Sequence, residues 1–187
     1  MPAIVILTRP LKHNPHIAKF REGWRGGLPE TPCGYDSKVS ETAIQRKWIP
    51  KIVEKYGVQT VADIGAGDLN WIKLMEWDVE YQAYDLIPRH ESVSRLDITM
   101  EVPPCVDLIM CLWVFNHMHP RQVIAALDNI KASGSKYLMF TTSPRWAEYL
   151  PVEIDLPRVE RVDLKIENMS KAVQGQIYID LVDLKAL

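Results

Sequence analysis

The chain has 187 residues, enough for one buried core, so a single domain is expected over 1–187, with an N-terminal strand, loop and helix over 1–57 and an α/β core over 58–187. With 22 basic against 24 acidic residues, the formal net charge of -2 gives no broad electrostatic reason for nucleic acid or an anionic membrane as an obligatory partner. Cys33, Cys105 and Cys111 are odd in number and form no C-x-x-C pair, which argues against a disulfide framework or a thiol-rich metal site and fits a reducing cytoplasm.

In chain order, the apolar run Ala3 to Leu7 is too short for a membrane span and lacks the flanks of a signal peptide, so it reads as a buried or edge strand. Residues 21–37 carry four glycines and two prolines and read as a long loop, either a functional lid or a fixed cover. Val39, Ala43, Ile44, Trp48, Ile49, Ile52, Val53 and Tyr56 then recur at helical spacing, with Ser37 as N-cap, Gly57 as stop and Pro50 set to kink or divide the helix.

Val58 to Ile64 reads as a strand and Asn70 to Trp77 as a short helix with Ile72, Leu74 and Met75 inward. Further strands are expected at Tyr81 to Tyr84, Val106 to Cys111 and Tyr137 to Thr141, with a helix over Arg121 to Lys131 started by Pro120 and stopped before Gly134. Val162, Leu164 and Ile166, then Ile177, Ile179 and Leu181, alternate with polar residues and predict an antiparallel pair joined near Gly175. The order predicts an α/β fold: a Rossmann-like, mostly parallel sheet with a C-terminal antiparallel pair and an N-terminal helical cap.

The strongest chemical signal is Val61-Ala62-Asp63-Ile64-Gly65-Ala66-Gly67-Asp68, a strand running into a glycine turn. Glycine there lets backbone approach a nucleotide closely. Asp63, two residues before Gly65, would repel a pyrophosphate and attract the ammonium of a methionine moiety, and Asn70 stands where a dinucleotide fingerprint has its third glycine. These features favour S-adenosyl-L-methionine over a nicotinamide or flavin cofactor. Asp85, which follows the second strand, is placed either to bind the ribose hydroxyls or to stand as a solvated turn aspartate. Asp97 is placed either to accept from the adenine amino group or to cap its own loop. Ala66, Leu86, Ile98 and Cys111 complete the expected cofactor contacts.

The residues Gly34-x-x-Ser37, Thr42, Trp48-Ile49-Pro50, Asp63 to Trp71, Tyr84-Asp85-Leu86-Ile87-Pro88, Leu96-Asp97-Ile98-Thr99 and Asp107 to Cys111 together resemble a group of bacterial and phage class I methyltransferases, over roughly residues 20 to 185. In that group the glycine turn often reads Pro-Cys-Gly-Asp before an aromatic-bearing helix, and the preceding loop carries Gly-x-Gly-Ser. Gly65-Ala66-Gly67-Asp68 and Gly34-Tyr35-Asp36-Ser37 stand at those places here, with Asp36 for a glycine. The resemblance implies a Rossmann-like sheet and a methyl donor and fixes no acceptor.

Acceptor chemistry is expected after the third long strand, at Leu112 to Pro120. That stretch contains neither an Asn-Pro-Pro-Tyr-like tetrapeptide nor a Pro-Cys nucleophile of the kinds that DNA methyltransferases use. His117 suits proton removal from an oxygen or nitrogen nucleophile, or else packs beside the helix that starts at Pro120. Trp113 can flank the adenine or sulfonium, or fill the core. Asn116, with Trp24, Tyr35 and Ser37 of the loop, completes the expected acceptor and lid set. No metal is expected, because His117 and His119 have no further ligand at suitable spacing. The reading is a methyltransferase acting on an O- or N-nucleophile, with a small molecule first and nucleic acid second as acceptor. Its rival is a non-catalytic cofactor-binding module or a subunit of a nucleic-acid-modifying complex.

Overall fold

The computed structural model describes residues 28–142, 157–164 and 177–186. The expected strand at 3–7, the first part of the glycine-rich loop with Trp24, and the turn at Gly175 lie outside the described residues.

Among the described residues seven strands form one sheet: β1 (Thr60–Ile64), β2 (Glu80–Asp85), β3 (Val93–Arg95), β4 (Leu108–Cys111), β5 (Tyr137–Thr142), β6 (Arg158–Leu164) and β7 (Ile177–Asp183). Their spatial order is β3-β2-β1-β4-β5-β7-β6. The first five are parallel, and β7 runs antiparallel to both β5 and β6. The mostly parallel sheet with a closing antiparallel pair is therefore as the sequence predicts.

Both faces of the central strands are buried. On one face Val61, Leu108, Met110 and Met139 pack with Ile49, Ile52 and Val53 of helix α1 (Ala43–Lys55). On the other, Ala62, Ile109, Cys111 and Leu138 pack with Val123, Ala126 and Ile130 of helix α2 (Pro120–Ala132). Alternate residues of one strand thus serve two separate cores, which is why these strands read as unbroken apolar runs.

Three local expectations are corrected. Helix α1 begins after Thr42 and not at Ser37, because Tyr35–Ser37 closes its own 3-10 turn and Thr42 turns its hydroxyl back to the Lys38 and Val39 carbonyls. Pro50 does not divide α1; packing of fully buried Ile49 and of Ile52 onto the sheet holds the helix through the missing N–H. The helix expected over Asn70 to Trp77 is only the 3-10 turn Ile72–Leu74, and Leu74 faces solvent while Ile72 and Met75 are buried. The three-residue β3 carries too few residues for an alternation to show, and nothing in the local sequence marks it.

Helix α2 is started as expected. Pro120 occupies its first turn, and the Gln122 side chain accepts from the His119 N–H at 2.9 Å. Together α2 and the turn before it set the path of the chain beyond β4, and the glycine turn sets it beyond β1.

Candidate functional site

The carboxyl ends of β1, β2 and β4 and the segment from Pro32 to Ser37 enclose a cleft of about 190 Å³. Each wall has a local cause. After β1, Gly65 and Gly67 take φ of 91° and 62°, and the Gly65 and Ala66 N–H groups both donate to the Tyr84 carbonyl, at 2.8 and 3.0 Å. A Cβ on Gly65 would stand 2.4 Å from Val114 Cγ2, and one on Gly67 2.7 Å from Cys33 Sγ. The turn therefore needs glycine for space as well as for conformation.

The carboxylate of Asp85 braces that turn from β2. It accepts from the Gly67 N–H at 2.9 Å through Oδ2 and from the Ile87 N–H at 2.8 Å through Oδ1. Burial raises its pKa above the usual carboxylate range, while these N–H groups and Arg89 oppose the rise. Asp63, on β1, is 5% exposed and accepts from the Tyr81 hydroxyl at 2.7 Å. Burial pushes its carboxyl up to about 7; the Tyr81 bond pulls it down and neighbouring Asp85 adds to the rise. Among the described residues no ion pair reaches Asp63.

After β4 the backbone turns sharply. Trp113 takes φ of 60°, a conformation a bulky side chain adopts only under constraint, and its N–H is held by the hydroxyl of buried Thr141 on β5 at 3.0 Å. The turn then presents Trp113, Val114, His117 and Met118 to the cleft. Nε2 of His117 lies 3.3 Å from Nδ2 of Asn116.

The remaining wall is the segment before α1. Glu30 accepts from the Val39 N–H at 2.7 Å and from Nδ2 of Asn70 at 2.9 Å, and the same Asn70 amide donates to the Ser37 carbonyl at 3.0 Å. Asn70 thus fastens this segment to the glycine turn. Cys33 lines the cleft beside Gly67, and burial pushes its thiol up to about 11.

Of the residues expected from sequence, Asp63, Gly65, Ala66, Gly67, Asp85, Leu86, Trp113, His117 and Ser37 line one cleft. Asp97, Ile98, Cys111, Asn116 and Tyr35 do not. Asp97 Oδ1 accepts from the Thr99 N–H and hydroxyl at 3.0 and 2.7 Å, a local turn; Ile98 and Cys111 are buried in the core under α2; Tyr35 is exposed. Asn116 touches the cleft only through His117. Tyr81 and Thr141 belong to the site or its supports without having been marked in the sequence, and Asn70 and Asp36, noted there only as departures from motifs, belong to it as well. Tyr81 has no local signature, since its partner is fixed by the β1–β2 register, in which Val61 faces Tyr81 and Asp63 faces Ala83.

No protein-family model matches the chain, and no curated protein matches it. Solved structures do. An S-adenosylmethionine-dependent methyltransferase from Clostridium acetobutylicum superposes with a TM-score of 0.54, covering 78% of this chain and 96% of its own at 10% identity. The methyltransferase domain of bacterial CtHen1-CN gives 0.51 over 78% and 100% at 8% identity. A SAM-dependent methyltransferase from Leishmania major gives 0.51 over 74% and 71% at 11%. At these identities the likeness establishes the fold, a Rossmann-like α/β sheet shared with those methyltransferases.

Proposed function

We propose that the chain is an S-adenosylmethionine-dependent methyltransferase that transfers the methyl group to a nitrogen or oxygen nucleophile on a small molecule. The observation that carries this reading is a pair of carboxylates, buried Asp63 and half-buried Asp85, on either side of a glycine turn. Two carboxylates at the turn disfavour a diphosphate, and among the described residues Asp63 has no cationic partner, a place that the ammonium of a methionine moiety would fill. The turn keeps its backbone at the cleft wall, with Val114 and Cys33 packed where a Cβ would stand, which suits a ligand lying beside that backbone. The fold shared with methyltransferase structures supports the same assignment.

In this reading Asp63 and the Gly65-Ala66-Gly67 turn hold the methionine part, and Asp85 with Leu86 holds the ribose. Trp113, Ser37 and His117 face the acceptor side. The bound donor supplies a methyl group already activated on a sulfonium, so the protein has to align a nucleophile and exclude water. The turn at Trp113 and the segment fastened by Asn70 give rigid walls for both tasks. A small acceptor suits a cleft enclosed by the sheet ends and one covering segment. No helix among the described residues is long and apolar enough to cross a membrane.

Calorimetry tests the cofactor assignment. S-adenosylhomocysteine is expected to bind with micromolar affinity and nicotinamide dinucleotides not at all; the reverse order would overturn it. Transfer of labelled methyl to a small-molecule extract tests the activity. Donor binding without product in any acceptor pool would identify a non-catalytic module instead.

A further inference from the structure

The group that the sequence resembles has a glycine where this chain has Asp36, and the structure places that aspartate in the cleft. Its turn, Tyr35–Ser37, is closed by the Ser37 N–H to the Gly34 carbonyl and the Lys38 N–H to the Tyr35 carbonyl, both at 3.1 Å. Asn70 then ties the Ser37 carbonyl to the glycine turn at 3.0 Å. The side chain is therefore carried by a fixed support.

The carboxyl of Asp36 has no use in that support. Among the described residues the hydrogen bond that acts on it comes from its own backbone N–H, and the charge that acts on it is the like charge of Glu41, on the turn before α1. The other charged or titratable groups lining the cleft are Asp63, Asp68, Asp85, Cys33, Arg89 and His117. A partly buried carboxylate beside another acid, with no donor but its own backbone N–H, is costly to hold unless a ligand completes it. Burial, with Glu41 adding, pushes its pKa up to about 6. His117 differs, because its Nε2 already lies 3.3 Å from the Asn116 amide.

Resting on the methyltransferase reading, we propose that Asp36 is the acceptor-facing carboxylate of the cleft, and that the acceptor is a neutral or cationic molecule whose nucleophilic nitrogen or oxygen carries a proton. The acceptor atom forms its bond to the methyl carbon as the sulfur-carbon bond breaks. The bonding pair stays on sulfur, leaving the neutral thioether, and the acceptor's proton passes to Asp36. Four aspartates around the cleft, Asp36, Asp63, Asp68 and Asp85, make it a poor place for a phosphate or carboxylate at the reacting end.

The test needs no acceptor. Sinefungin carries an amine-bearing carbon in place of the methylated sulfur and so presents an ammonium where the transferred group would stand; S-adenosylhomocysteine presents nothing there. Both share the ammonium that Asp63 would meet, so the ratio of their affinities isolates Asp36. Wild-type protein is expected to favour sinefungin, increasingly as pH rises through about 6, the value to which burial pushes Asp36. In Asp36→Asn the ratio should fall about tenfold, the scale of one charge-assisted hydrogen bond, and lose its pH dependence, with S-adenosylhomocysteine affinity held within about twofold. Asp36→Ala, checked for folding by circular dichroism, should behave alike. An unchanged ratio with S-adenosylhomocysteine still bound overturns the role of Asp36 alone. Failure of wild type to bind either compound overturns the cofactor reading and this proposal with it.

Discussion

The Tyr81 hydroxyl donates a 2.7 Å hydrogen bond to the buried carboxylate of Asp63, across the β1–β2 pairing. That bond favours the ionised acid against the burial that opposes it. Tyr81→Phe should raise the Asp63 pKa further above about 7 and weaken S-adenosylhomocysteine binding at pH 7 by about 1.5 kcal/mol. Affinity should recover toward the wild-type value at pH 9, where the acid ionises regardless. Calorimetry at the two pH values decides it, and an equal loss at both would show that the ring's packing, not its hydroxyl, matters.

Asp63 also sets a pH dependence of stability. Its folded pKa of about 7 lies above the ordinary unfolded value of about 3.9, so the folded state binds the proton more tightly. Stability from this group is complete below the unfolded value and is lost as pH rises through about 7. Asp63→Asn removes the titration. The mutant should melt higher than wild type at pH 8 by several degrees, with the gap nearly closed at pH 4, while losing donor affinity. Thermal melts across that range test the sign.

Asp85→Ala removes a carboxylate that two backbone N–H groups use, those of Gly67 and Ile87. Cofactor affinity should fall by about 1.5 to 3 kcal/mol, and the folded protein should also lose about 1 to 2 kcal/mol, because both donors lose their partner. Asp85→Asn, which keeps one acceptor oxygen, should recover part of the stability. Denaturant unfolding beside calorimetry separates the two effects.

The two glycines of the turn should respond unequally to alanine. At Gly65 a Cβ would meet Val114 Cγ2 at 2.4 Å with φ at 91°, outside the left-handed helical region. At Gly67 it would meet the Cys33 sulfur, the end of a side chain that can rotate, with φ at 62°. Gly67→Ala should cost about 1 to 2 kcal/mol and Gly65→Ala clearly more. Adding Val114→Ala should return part of the Gly65→Ala loss but not its backbone strain.

The sheet was legible because its central strands are buried on both faces and read as apolar runs, and because α2 carries its own start and stop signals in Pro120 and Gly134. The part of the cleft formed by the glycine turn with Asp63 and Asp85 was legible for a local reason: these residues sit within one strand-turn unit and at the end of the next strand. What escaped the sequence depends on register and distant contact. The Tyr81 bond needs the β1–β2 alignment, and the Asn70 amide reaches back to Ser37 and Glu30. Asp97 was open between the adenine and its own loop, and Thr99 holds it on the loop; the strand alternation places Cys111 in the core. Asp36 read as a departure from a motif until the fold placed it in the cleft.

Strand β7 lies between β5 and β6 although it comes after both in the chain. Until Ile177–Asp183 leaves the ribosome, β5 presents an open edge of unpaired amides and carbonyls, and β6 has no place in the sheet at all. The sheet is therefore finished only when β7 joins the open β5 edge and brings β6 in beside it. Nascent chains stalled before residue 177 should expose that edge to chaperones and to one another, while the glycine turn and the first five strands have already been made.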